Sequence, residues 1–124
     1  VVEFLDAAAA LRWLELPRAQ PGGADESERL ALFLNLYHLM VLHAYLLVGP
    51  PGGAIKWSSY LSGLSYEIGG DVLSLAELEH CVIRAAAAPA KQYPSKLLVP
   101  SEKYAFALSA VEPRVNFALC CGGS

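Results

Sequence analysis

From Leu30 to Val48 the chain runs through nineteen residues without an Asp, Glu, Lys or Arg. A segment that long and that apolar either crosses a bilayer or forms the inner helix of a packed domain. Asn35, His38 and His43 lie inside it, each costly in lipid unless it finds a partner. No basic residue marks the far end, where Gly49-Pro50-Pro51-Gly52-Gly53 stops the helix. The expectation is a central helix buried on nearly all sides, with no membrane span. On a helical wheel of about 100° per residue, Asn35, His38, His43 and Tyr45 share one arc of about 160°. Leu39, Leu42 and Leu46 fall in the same arc, so the polar groups sit on a largely buried face and need partners.

The flanking segments supply what could cover such a rod. Val1 to Leu16 has helical apolar spacing and an alanine run, and Pro17 ends it. Residues 21–25 read as loop, with Asp25 or Ser27 placed to cap the central helix. Ile55 to Leu64 is a short amphipathic helix anchored by Trp57 and Tyr60. Paired glycines at 69 and 70, between Tyr66-Glu67-Ile68 and Asp71-Val72-Leu73, predict a tight hairpin. Ser74-Leu75-Ala76-Glu77 is a capping box that opens a further helix, which Pro89 closes. Residues 90–110 read as loop with a short helix near Lys103 to Ala110. The alternation in Arg114-Val115-Asn116-Phe117-Ala118-Leu119 predicts a strand. The fold expected is α+β and mainly helical. A central buried helix has flanking helices and a small antiparallel sheet, made of the hairpin and one C-terminal strand.

Composition narrows the function classes. With 21 Leu and 19 Ala in 124 residues, and a net charge of −3, the chain is neither a disordered acidic tail nor an all-β sandwich. Nine basic against twelve acidic residues, without a basic cluster, argue against nucleic acid as a partner. Three cysteines (Cys81 and the adjacent pair Cys120 and Cys121) suit reduced thiols in an intracellular, cytoplasmic setting. Acidic residues near the start do not fit a secretory signal. The abrupt finish on Gly-Gly-Ser reads as residues 1–124 forming a single domain, a C-terminally truncated part of a larger multidomain chain. There is no GxxxxGK, GxGxxG, HExxH or CxxC motif, so no cofactor and no metal are expected.

One acidic residue stands apart. On the helix after the capping box, Leu75, Leu78, Val82 and Ala86 form an apolar stripe, and Glu79 falls inside that arc. Glu77, His80 and Arg84 fall on the other side, spaced as a solvated ladder. A carboxylate on a buried face must find a cation or donors. Glu79, Arg114 and Asn35 are therefore expected to converge as a structural polar cluster pinning three elements together.

Three blocks resemble one family, that of domain of unknown function 547. Leu32-Phe33-Leu34-Asn35-Leu36-Tyr37-His38 is similar to its aromatic-x-Asn-Leu-Tyr-Asn helix. Tyr66-Glu67-Ile68-Gly69-Gly70 through Leu78-Glu79-His80 to Ile83-Arg84 resembles its Gly-Gly hairpin and Ile-Glu-His helix. Glu112-Pro113-Arg114-Val115-Asn116-Phe117-Ala118-Leu119-Cys120-Cys121-Gly122 resembles its Asp-Pro-Arg-hydrophobic-His-Phe-Ala-Leu-Asn-Cys-Gly segment. His38, Asn116 and Cys120 stand where that pattern has Asn, His and Asn, and its later Ser-Cys-Pro block lies beyond Ser124. The likeness points to plant leucine-zipper-associated, ternary-complex-factor-like proteins and their relatives. It implies an intracellular module in a larger protein and no particular reaction.

Two functions follow as expectations. The first is a structural or protein-interaction module whose partners are other protein domains or subunits. The alternative is a thiol-dependent hydrolase or transferase, papain- or transglutaminase-like or a degenerate relative. There Cys121 would be the nucleophile, His80 or His43 its base, and Glu79 or Asn35 the orienting group.

Overall fold

A computed structural model describes residues 2–16, 26–87 and 101–119. The expected loop at 21–25, the first part (90–100) of the loop expected over 90–110, the cap at Asp25, the helix end at Pro89 and the Cys120-Cys121 pair lie outside them.

The uncharged stretch forms one long helix, α2 (Glu26–Val48), led in by Glu26 and Glu28 at its positive dipole end. By length and mean hydropathy (1.7) it could cross a membrane. Here Phe33, Leu36, Tyr37, Met40, Val41 and Ala44 are buried and make it the core helix. It is not covered on all sides, however. Leu42, Leu46, Leu47 and Val48 stay exposed, because no described element packs over that side of its last two turns.

The preceding helix is shorter than its apolar spacing predicts. α1 (Val2–Ala9) tightens into a 3₁₀ turn over Ala10–Trp13, and the backbone is extended by Leu14. Helix α3 (Ala54–Gly63) leans its Trp57 and Tyr60 rings on Tyr45, each centroid 6.2 Å away, and the two rings lie 5.8 Å from each other.

Strands β1 (Ser65–Ile68) and β2 (Asp71–Ser74) pair antiparallel, Tyr66 opposite Leu73 and Ile68 opposite Asp71. Gly69 and Gly70 both have positive φ, +59° and +87°, as a two-residue turn of this hand demands. Gly69 is constrained twice over. Its N–H donates to the Leu11 carbonyl at 3.1 Å, and a Cβ there would lie 2.4 Å from the Leu14 carbonyl oxygen. The N-terminal segment thus docks on the hairpin turn where no side chain fits.

Ser74 caps α4 (Leu75–Glu77) through the full reciprocal box: Glu77 N–H to the Ser74 hydroxyl at 3.1 Å, Ser74 N–H to the Glu77 carboxylate at 2.8 Å. After three residues the helix widens into a π turn over Leu78–Ile83, closed by Arg84 N–H donating to Glu79 O at 2.8 Å. The short helix expected at Lys103 to Ala110 is a 3₁₀ turn at Ser101–Tyr104.

The C-terminal strand is a correction. Residues Val115–Ala118 form a one-turn helix, α5, and the sheet has two strands. A strand would put Val115, Phe117 and Leu119 on one face. Instead Val115 and Leu119, four apart, are buried in the core while Phe117 is 92% exposed. The helical period prevails because only one apolar pair has core to enter. The molecule is mainly helical α+β with a small antiparallel hairpin.

Candidate functional site

Glu79 is buried, as its position in the apolar arc requires, and its partner is Arg84 rather than Arg114. Arg84 Nε lies 3.1 Å from Glu79 Oε1. On an α-helix residues five apart lie about 140° round the axis and cannot pair. The π turn brings them to one side, which is why Arg84 leaves the expected ladder with Glu77 and His80. Tyr37 of α2 reaches Glu79 Oε2 through a long contact of 3.4 Å, and Arg84 Nη1 donates to the Asn116 amide oxygen of α5. Three elements do meet at Glu79, by different residues from those expected.

The other two members of the expected cluster lie elsewhere. Asn35 is exposed on α2. Arg114 is exposed and takes up its own neighbour, with Nε 2.8 Å and Nη2 2.7 Å from the Glu112 carboxylate. Those hydrogen bonds hold the Glu112 carboxyl down to about 2. Pro113 turns the chain so that Glu112 and Arg114 close a local pair, and α5 then carries the guanidinium outward.

Glu77 is the second acid that the ladder misplaced. It accepts from Lys103 Nζ at 2.6 Å and the Tyr104 hydroxyl at 2.7 Å, beside the buried Cys81. Burial raises its pKa, but Lys103, the Ser74 N–H and Tyr104 outweigh that and hold the carboxyl below its usual range. Burial and the same hydrogen bond push the Tyr104 phenol upward.

Arg29 is a cation that sequence reasoning missed. It is buried in the first turns of α2 and donates to the Phe106 and Ala107 carbonyls. Its only signal was a charge one residue before an uncharged run. On the polar arc of α2, His38 places Nδ1 2.7 Å from the Leu34 carbonyl and Nε2 2.9 Å from that of Ala118, clasping α5. His43 sits 2.8 Å, through Nδ1, from the Tyr66 hydroxyl, which donates to the Met40 carbonyl at 3.1 Å.

The thiol constellation is only partly within the described residues. Cys121 lies outside them. Glu79 is engaged with Arg84 and Tyr37, His43 faces Tyr66 and Phe4, and Asn35 faces outward. His80 sits half-buried in the π turn. No group of three or more His, Cys, Asp or Glu able to hold a metal ion occurs among the described residues.

An open, almost wholly apolar groove lies beside α1. Phe4, Leu42, Tyr45 and Leu46 line this groove of about 280 Å³. It continues onto the end of α2, where Leu42 (57%), Leu46 (59%), Leu47 (62%) and Val48 (62%) remain exposed. Leu42 and Leu46 are four apart, so they make one ridge.

A family model described as "Protein of unknown function, DUF547" matches residues 21–124. No curated protein and no solved structure matches the chain. Helix α1, which supplies Phe4 to the groove, precedes the matched region.

Proposed function

The chain belongs to the DUF547 family, and from that premise we propose that it is a protein-interaction module, taking the apolar face of a partner's helix into the groove of Phe4, Leu42, Tyr45 and Leu46. One observation carries this reading: four large aliphatic side chains stand more than half exposed on consecutive turns of the helix whose other face is the core. Contiguous exposed apolar surface on a folded domain marks a docking site. The ridge of Leu42 and Leu46, with Phe4 and Tyr45 lining the same groove, suits an i, i+3, i+4 apolar stripe laid across it.

We read the module further as acting inside the cell as part of a larger chain, and as a relative of the plant leucine-zipper-associated proteins. The test is site-specific photo-crosslinking in cells from position 46, with position 62 on α3 as control. A protein trapped only from position 46, once purified, is expected to bind the wild type and to bind Leu46→Glu at least about tenfold more weakly. Equal trapping from both positions, or equal affinity for L46E, would overturn the reading.

A further inference from the structure

A second cleft, of about 290 Å³, lies between α1, α2 and β1 and does not overlap the apolar groove. Leu5, Ala8 and Ala9 form its apolar wall, and Arg12, His43 and Glu67 bring its charge and polarity. The hydroxyl of Tyr66 donates its one proton to the Met40 carbonyl, so it accepts from His43 Nδ1–H. With the proton on Nδ1, the neutral imidazole has Nε2 as its acceptor, which makes no hydrogen bond among the described residues. Burial pushes the Tyr66 phenol up, which keeps this chain of donors intact.

The charged groups at the cleft are likewise uncommitted among the described residues. Arg12 spends Nε on the Ala9 carbonyl at 3.0 Å and has no ion pair, and Glu67 has none either. One guanidinium fork, one carboxylate and one imidazole acceptor define a complementary ligand. It carries a carboxylate for Arg12 and an ammonium that donates to Glu67 and His43 Nε2. A dianion would meet a single cation and be repelled by Glu67. The volume, at the small end of ligand sites, excludes anything large.

We propose that the cleft between α1, α2 and β1 binds a free zwitterionic α-amino acid with a small apolar side chain. Arg12 takes its carboxylate, Glu67 and His43 Nε2 its ammonium, and Leu5, Ala8 and Ala9 its side chain. The ligand bridges α1 to the hairpin, so binding stiffens α1, which lies ahead of the family match.

The experiment titrates the protein with L-valine and reads the imidazole nitrogens by long-range ¹H–¹⁵N NMR, with His43→Gln assigning the signal. A dissociation constant of about 1 mM is expected, with the shift confined to His43 Nε2. N-acetyl-L-valine lacks the ammonium and L-valinamide lacks the carboxylate, so each should bind at least about tenfold more weakly. Arg12→Gln and Glu67→Gln, both at exposed positions, should weaken L-valine by a similar factor without moving the thermal midpoint. No His43 shift by about 20 mM L-valine overturns the proposal, as does equal binding of either blocked analogue or of inorganic phosphate. The crosslinking at position 46 is unaffected by any of these outcomes.

Discussion

Gly69 and Gly70 share a turn yet are replaceable to very different degrees. At Gly69 a methyl group would enter both a left-handed backbone and the Leu14 carbonyl oxygen. Gly69→Ala is therefore expected to cost about 2–3 kcal/mol, the upper part of the range for such strain. At Gly70 nothing lies within 4 Å, and Asn tolerates positive φ, so Gly70→Asn should stay within about 0.5 kcal/mol. Urea unfolding of the two variants separates these effects. Glu79 invites a second comparison. Glu79→Ala leaves Arg84 without its carboxylate, and a broken buried pair costs about 3–5 kcal/mol. Arg84 keeps 27% of its side chain in water, so the loss should sit near about 3 kcal/mol. Glu79→Leu with Arg84→Met should recover most of it, because a well-packed apolar pair removes both desolvation costs together. The burial of Glu79 was readable from its place among Leu75, Leu78 and Val82. The identity of its partner was not, since five-residue spacing faces opposite ways on an α-helix.

Among the elements, α5 shows how a local pattern misleads. Arg114 to Leu119 alternates polar and apolar side chains as a strand does, yet among the described residues no strand lies beside it to pair with, and the core accepts only Val115 and Leu119. Val115→Ala is expected to cost about 1.5 kcal/mol for two buried methyl groups. Phe117→Ala should change stability by less than about 0.5 kcal/mol although it removes far more carbon. A strand would reverse that order, so thermal or urea unfolding of the two variants decides the element. The hairpin and capping box were legible because their chemistry is local: two glycines permit the turn, and Ser74 and Glu77 satisfy each other's backbone donors. The π turn that follows was not, since its widened ring answers to what Glu79, Arg84 and Asn116 must reach across the fold.

At the scale of the whole molecule, partly buried acids make stability depend on pH. Burial opposes ionisation of Glu77 and Glu26, but their hydrogen bonds more than offset it and both carboxyls titrate below the ordinary 4.5. A carboxyl depressed in the folded state contributes stability that is complete above its unfolded pKa and lost as pH falls through the folded one. Unfolding free energy should therefore be level above pH 4.5 and fall below it. Glu77→Gln should make that acid limb shallower in chemical denaturation at stepped pH. The residues along the chain were enough to set the central helix, the hairpin with its cap, and a buried acid at 79, because those follow from charge gaps, glycine conformations and helical spacing within a few residues. Which guanidinium meets that acid, which side of α2 stays uncovered, and that Val115–Ala118 coils instead of extending were settled by packing. Each depends on what space and which partners distant segments leave, and neighbouring residues carry no record of that.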